Sequence, residues 1–245
     1  MSEELWDSRT ILMLGEEKMQ RLRSAHVLVA GLGGVGAYAA EMLCRAGVGQ
    51  ITMFDGDTIS VSNRNRQLPA MMSTVGKPKA QLIKERLLDI NPDIKLNAIQ
   101  KYCKDEELKK IIEDASYDYV LDAIDTLSPK VFLIYHALQN NLKVVSSMGA
   151  GGKLDPSLIR VADIADTFQC KLALFMRKRL QKLGVRTGFK TIFSPEIVPK
   201  ECVVINEVQE QNKLTTVGTI SYMPAMFGCF AASVAIRDLI EEPQK

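Results

Sequence analysis

At 245 residues, with 47% hydrophobic and 24% charged residues, the chain is long enough for a sizeable core and is not of disordered composition. A formal net charge of +2 points to no partner by itself; the distribution of charge along the chain says more. Five scattered cysteines (Cys44, Cys103, Cys170, Cys202, Cys229) without a C-x-x-C pair argue against a disulfide framework or a structural zinc site, and fit a reducing cytoplasm.

The first residues, MSEELWDSRT, lack the basic start and apolar run of a signal peptide. Residues 7–24 carry one helical pattern (Ile11, Leu12, Leu14, Met19, Leu22) that leads into a buried strand, Val27–Ala30. Gly31, Gly33 and Gly36, with Gly34 between them, then spell GLGGVG and open an Ala-rich helix that runs to Ala46. A sharp strand-to-helix turn pressed against phosphate oxygens leaves no room for a Cβ, and the free N–H groups of the helix start attract an anion. The next strand, Gln50–Phe54, ends in Asp55, whose carboxylate can accept ribose hydroxyl hydrogen bonds. This local pattern predicts a nucleotide site without naming the nucleotide. An irregular polar stretch, DGDTISVSNRNRQLPAMMSTVG, follows and is too long for an ordinary connection.

Further along, the periodicity predicts a helix over Lys77–Ile90, a strand over Lys95–Gln100 and a helix over Asp105–Glu113. Next come a buried strand over Tyr117–Ile124, a helix over Pro129–Gln139 and a short strand over Lys143–Ser147. The alternation is that of a Rossmann-like, doubly wound α/β fold with a mostly parallel sheet. Beyond residue 148 the rhythm changes to a glycine-rich run and a basic helix over Gln169–Leu183. Short strands follow at Thr191–Ser194 and Cys202–Asn206, expected to be antiparallel, and a closing helix over Gly218–Ile240. No linker separates these parts, so the expectation is one domain. Residues 1–148 form its nucleotide-binding core, and residues 149–245 an extension that binds substrate and forms the dimer. Leu214–Ile236 holds 23 uncharged residues, long enough to span a membrane, but its threonines, serines, glycines and proline favour a helix buried in a core or subunit interface.

Several charged residues sit in loops that leave one edge of the expected sheet. Arg66 lies in SNRNRQ, Lys79 in VGKPKAQ, and Asp122 and Asp125 in LDAIDT. Taken singly, Arg66 and Lys79 also read as solvated surface charges, and Asp122 either caps the next helix or holds Mg²⁺. Together they favour a triphosphate with Mg²⁺ over NAD. Cations offset the charge that moves onto a leaving pyrophosphate, and a carboxylate holds the metal. Between Asp166 and Glu196 stand Lys171, Arg177, Lys178, Arg179, Lys182, Arg186 and Lys190, with no acidic residue. Such one-sidedness reads either as a solvated helix face or as a nucleic-acid phosphate contact. His26 and His136 read as structural.

GLGGVG, DGDTISVSNRNRQ, VGKPKA, INP and LDAID, in that order and spacing, resemble the adenylating superfamily of ubiquitin-activating enzymes and sulfur-carrier adenylyltransferases. That resemblance implies that Gly31, Gly33, Gly34, Gly36 and Asp55 bind ATP, and that Asn63, Arg66 and Lys79 contact its phosphates. It also implies that Asp125 holds Mg²⁺, and raises a monovalent cation, sodium or potassium, as a further ion. Arg9 in WDSRTILMLG matches an arginine donated into the partner subunit's site, which implies a homodimer. Lys130 stands where many relatives have arginine.

The run SSMGAGGKLDPSLIRVADIADT with the basic helix after it, and the lack of zinc cysteines, is similar to the tRNA threonylcarbamoyladenosine dehydratases within that superfamily. The resemblance covers residues 6 to 240 and implies ATP-dependent cyclisation of that nucleoside beside the tRNA anticodon through an acyl-adenylate. Arg66, Lys79, Asp125 and Arg9 carry the chemistry in this picture, and Lys171, Arg177, Lys178, Arg179 and Lys182 meet tRNA. The alternative is activation of the C-terminal glycine of a ubiquitin-like or sulfur-carrier protein. Gln209–Met226 has no cysteine, which speaks against sulfur relay through this chain.

Overall fold

The computed structural model describes residues 5–210 and 213–241. Two helices open it, α1 (Ser8–Leu14) and α2 (Glu16–Ser24), where the sequence pattern suggests one. Gly15 at φ +79° breaks the run, because the left-handed backbone it adopts cannot continue a helix. Then follow β1 (His26–Ala30), α3 (Gly36–Arg45), β2 (Gln50–Phe54), α4 (Lys79–Ile90), β3 (Lys95–Ile99) and α5 (Asp105–Glu113). The middle of the chain forms β4 (Tyr119–Asp122), α6 (Leu127–Gln139), β5 (Lys143–Ser147) and β6 (Arg160–Asp163). After these come α7 (Lys171–Lys182), β7 (Lys190–Phe193), β8 (Val203–Glu210), β9 (Lys213–Val217) and α8 (Tyr222–Ile240).

Seven strands make one sheet in the order β3-β2-β1-β4-β5-β7-β6, parallel except for β6. Alternate residues of β1 serve opposite faces, as the pleat requires. Val27 and Val29 join a core built with α2, α3, α4 and α8, whereas Leu28 and Ala30 join one built with α5, α6 and α7. Both faces are therefore covered, which is why these strands read as continuous apolar runs. The strand order reverses between β1 and β4, and it is at such a point, at the carboxyl ends of the strands, that open α/β sheets form their binding crevice.

The second half departs from its sequence reading in two places. The strand expected at Thr191–Ser194 is β7 of the main sheet; it pairs parallel with β5 and antiparallel with β6. The uncharged stretch is not one helix either: its first residues lie on β9, which pairs with β8 in a separate antiparallel ribbon. Among the described residues α8 is the one helix long and apolar enough to cross a membrane. It packs instead on α3 and the sheet through Met223, Phe227, Ala231, Ala232 and Ala235. Its far end is tied down by Asp238, which accepts from the Tyr119 hydroxyl at 2.8 Å and pairs with Lys190 at 2.5 Å. Lys190, part of the acid-free run, is thus held at the lower edge of the sheet.

Candidate nucleotide and substrate site

The glycines of the turn after β1 have different jobs. Gly31 has φ +85°, and a Cβ there would stand 3.0 Å from the Ala123 carbonyl oxygen of the loop after β4. A Cβ on Gly36 would overlap the Gly31 carbonyl oxygen, and one on Gly34 would lie 2.9 Å from Pro224 at the start of α8. These three are set by the protein's own packing. Gly33 is not: the nearest atom to a Cβ there is the Gln67 amide nitrogen, at 3.8 Å. The open face at Gly33 is room for a ligand against bare backbone, next to the first turn of α3.

Asp55 leaves β2 beside that turn. Its carboxylate accepts from the Leu32 N–H at 2.7 Å and the Asp57 N–H at 2.8 Å. Burial pushes its pKa above the usual carboxylate range, while the charge of Lys79 pulls it back. Lys79 opens α4 and is nearly buried, with Nζ 2.8 Å from Asp57 Oδ2. The Tyr102 hydroxyl donates to the other oxygen of Asp57, and burial together with that bond raises the phenol well above its ordinary pKa. Sequence reasoning singled out neither Asp57 nor Tyr102. The second carboxylate of DGD was the signal available for Asp57, and nothing local marks Tyr102.

The polar stretch after Asp55 folds over the crevice. Asn63 closes a short 3₁₀ turn, Val61–Asn63, by accepting from the Ser60 N–H at 3.0 Å. Arg66 donates to the Ser62 carbonyl at 3.0 Å and to Asn65 at 2.8 Å. Burial lowers the guanidinium's pKa, and the charge of Asp125 opposes that shift. Asn65 anchors the stretch to the Thr219 carbonyl ahead of α8 at 2.9 Å. Gln67 is the further residue the sequence reading did not assign. Its Oε1 is buried without a hydrogen-bond partner among the described residues, beside the open face of Gly33. An orphaned buried acceptor at a ligand cleft is what a ligand donor satisfies.

Asp122 and Asp125, close in sequence, are divided by the fold. Asp122 is fully buried; it pairs with the fully buried Lys130 at 2.6 Å and accepts from Ser146 Oγ at 2.6 Å and the Ile124 N–H at 3.0 Å. It is neither a helix cap nor a metal ligand, because both its oxygens are already engaged by these partners and it has no access to solvent. Lys130 also donates to the Ile124 carbonyl at 3.0 Å, which gives it a role: it fixes the loop that carries Asp125. Asp125 is exposed at the crevice. No cluster of three metal-binding side chains occurs among the described residues. Mg²⁺ does not need one, since it is held by one or two carboxylates with substrate phosphates and water.

Other expected residues fall elsewhere. Arg9 sits on α1, which buries none of its own residues and leaves Leu12 and Met13 almost fully exposed. Arg9 makes no hydrogen bond or ion pair among the described residues. On α7, Lys171, Lys178, Arg179 and Lys182 face solvent. Arg177 is half-buried: its guanidinium donates to the Thr167 carbonyl at 2.8 Å and to the Thr167 hydroxyl. A helix of 3.6 residues per turn points residue 177 partly back at the protein when 171, 178 and 182 point away, so part of this guanidinium is spent on packing. His26 is held by Ser116 and Thr52, and His136 by Asp105, as structural histidines are.

The sequence profile of the ThiF family matches residues 8–245. The chain belongs to the ThiF family. Within that family it is 36% identical over 241 residues to the tRNA threonylcarbamoyladenosine dehydratase of Bacillus subtilis (strain 168), covering 96% of this chain and 94% of that protein. The crystal structure of the E. coli tRNA N6-threonylcarbamoyladenosine dehydratase in complex with ATP superposes with a TM-score of 0.86 at 34% identity. It covers 95% of this chain and 93% of that one. The sulfur carrier protein ThiS adenylyltransferase of Escherichia coli (strain K12) is 36% identical, but over only 60% of this chain and 59% of its own length. Likeness to the dehydratases therefore takes in nearly the whole of this chain, and likeness to the carrier-protein enzyme only part of it.

Proposed function

We propose that this chain is an ATP-dependent tRNA threonylcarbamoyladenosine dehydratase of one domain, working as a cytoplasmic homodimer. The observation that carries the reading is the meeting of five groups at one end of the sheet. These are an open glycine turn, the carboxylate of Asp55 beside it, two cations at Arg66 and Lys79, and an exposed carboxylate at Asp125. Near full-length likeness to dehydratases, one of them crystallised with ATP, supports the same view.

ATP would lie with its phosphates along Gly33 and the start of α3. Asn63 gives its carbonyl oxygen to Ser60 and keeps its amide NH₂ for an anion. Lys79 spends one donor on Asp57 and retains others for phosphate. Asp125 would hold Mg²⁺, whose charge neutralises the phosphates; a sodium or potassium ion is a further expectation of the family resemblance. The threonyl carboxylate of the modified adenosine attacks the α-phosphorus and pyrophosphate leaves. The substrate's urea group then closes onto the activated carbonyl, the bond to AMP breaks, its oxygen departs with AMP and a proton goes to solvent. No enzyme nucleophile is needed, because an intramolecular attack has an effective molarity on the order of 10⁵ M or more.

The homodimer is supported by α1, an unburied helix bearing Arg9, with exposed Trp6, Leu12 and Met13 that a second copy would cover. The cations of α7 would meet tRNA phosphates. Activation of a carrier protein's C-terminal glycine is the weaker reading, since likeness to such an enzyme covers only 60% of this chain. The test is pyrophosphate and AMP release from ATP with purified protein. Release that depends on threonylcarbamoyl-modified tRNA, with loss of the cyclic nucleoside from the tRNA of cells lacking this protein, supports the proposal. Release that requires a carrier protein instead, or none with either substrate, overturns it.

A further inference from the structure

We infer that Phe168, gripped by Arg160 and Phe193, is a stacking platform for an unpaired base of the substrate RNA, continued along α7 by Phe175 and its flanking lysines. The inference rests on the tRNA reading above and gives that surface a recognition mode.

Position comes first. β6 runs against β7 and pairs Arg160 with Phe193, so both stand at the carboxyl edge of the sheet, the edge that carries the glycine turn and Asp125. The Arg160 guanidinium carbon lies 5.3 Å from the centroid of the Phe168 ring. Phe168 and the buried Phe193 meet at 5.6 Å between centroids and 76° between planes. Phe168 is nevertheless 44% exposed. A ring anchored on one side to the core and on another to a guanidinium, yet open to water, contributes less to packing than a buried ring would. It is a rigid aromatic surface of the kind that stacks on a base.

The backbone around Phe168 is held in place. Gln169, which follows it, has φ +51°, one of two non-glycine residues with positive φ among the described residues. A glutamine there is uncommon, and such conformations cluster where a side chain has to be aimed. Arg177 supplies the support: its guanidinium holds the Thr167 carbonyl from the inner side of α7. The half-buried cation is thereby a positioning residue for the ring.

On α7, residues 171, 175, 178 and 182 are spaced four, three and four apart and share one face. That face reads Lys, Phe, Lys, Lys, with Phe175 half exposed. No carboxylate lies between Asp166 and Glu196 to offset it. Cations alone would suit any phosphate backbone, and aromatic rings alone an apolar partner. The two interleaved suit a strand whose phosphates are neutralised while its bases, turned out of a loop, find π surfaces.

The test uses the full chain and two RNAs of equal phosphate number, an anticodon stem-loop and a fully paired duplex, with binding measured over a range of salt. Phe168→Leu keeps apolar volume against Phe193 and removes the π face; Phe168→Trp keeps it. The expected result is about tenfold weaker stem-loop binding for Phe168→Leu with an unchanged salt slope, unchanged duplex binding, and near-native affinity for Phe168→Trp. The introduced indole should be quenched by the stem-loop and not by the duplex. If wild type binds the stem-loop and Phe168→Leu binds it equally well, or loses both RNAs alike, the platform is refuted while the tRNA reading stands. If wild type binds neither RNA, both fall together. If a polyglutamate peptide of matched charge binds more tightly than the stem-loop, the face belongs to an acidic protein and the platform is refuted.

Discussion

Asp122 and Lys130 form an ion pair at 2.6 Å with both side chains fully buried, beneath the loop that presents Asp125. Ser146 and the Ile124 backbone complete the carboxylate's partners, and the ammonium also holds the Ile124 carbonyl. Removing one member leaves the other charged and unpaired in the core. Lys130→Met is expected to destabilise the protein by about 3–5 kcal/mol, and Asp122→Leu combined with it to restore much of that loss. Urea denaturation of the single and double variants measures both; a single variant with near-native stability would show the pair to be dispensable.

The glycine turn separates folding from binding. Alanine at Gly36 would collide with the Gly31 carbonyl oxygen, so Gly36→Ala is expected to be grossly destabilised or not recovered as folded protein. Gly33 has open space where a Cβ would go. Gly33→Ala should therefore melt like wild type and lose ATP affinity at least tenfold, because the added methyl occupies the phosphate approach. Calorimetric titration with ATP, beside a thermal melt, distinguishes the two. Unimpaired ATP binding by Gly33→Ala would move the nucleotide away from this turn.

Asp125 is exposed, whereas Asp122 is fully buried. Asp125→Ala is expected to lower tRNA-dependent pyrophosphate release by at least a hundredfold, about 2.7 kcal/mol in the barrier, with an unchanged unfolding midpoint. Asp125→Asn should behave similarly, since it keeps the shape and loses the charge that holds Mg²⁺. Near-normal turnover in either variant removes Asp125 from the metal role.

Arg9 stands on α1, none of whose residues is buried. Arg9→Ala and Arg66→Ala should each be inactive alone. After the two proteins are unfolded together and refolded, mixed dimers should regain activity, because one site then holds both arginines. No recovery, with mixed dimers demonstrated by mass, would exclude a site shared between subunits.

The exposed cations of α7 are expected to act differently from Arg177. Replacing Lys178, Arg179 and Lys182 by glutamine should weaken tRNA binding and flatten its log–log salt dependence by about 2 to 3, because each phosphate left unneutralised keeps its own counterions. Arg177→Gln removes the clamp on Thr167 and should lower the melting temperature while leaving the salt slope nearly unchanged. A flattening in Arg177→Gln equal to that of a surface lysine variant would contradict the observed packing.

The sequence by itself determined the doubly wound sheet, the glycine turn, Asp55 at the end of β2 and the acid-free run before Glu196. These depend on short-range rules: apolar runs make buried strands, steric room demands glycine, and charge of one sign is visible in a list of letters. Only the tertiary structure decided which member of each similar pair does what. Asp122 and Asp125 lie three residues apart, yet one is locked under a helix with Lys130 and the other opens to the crevice. Arg177 and Lys178 are neighbours, yet one props up Thr167 and the other faces water. Pairing between distant segments set these fates: Lys190 found Asp238, Tyr102 found Asp57, and Thr191 joined a parallel strand rather than a hairpin. A side chain's chemistry is local, but its exposure and its partners are fixed by what the rest of the chain packs against it.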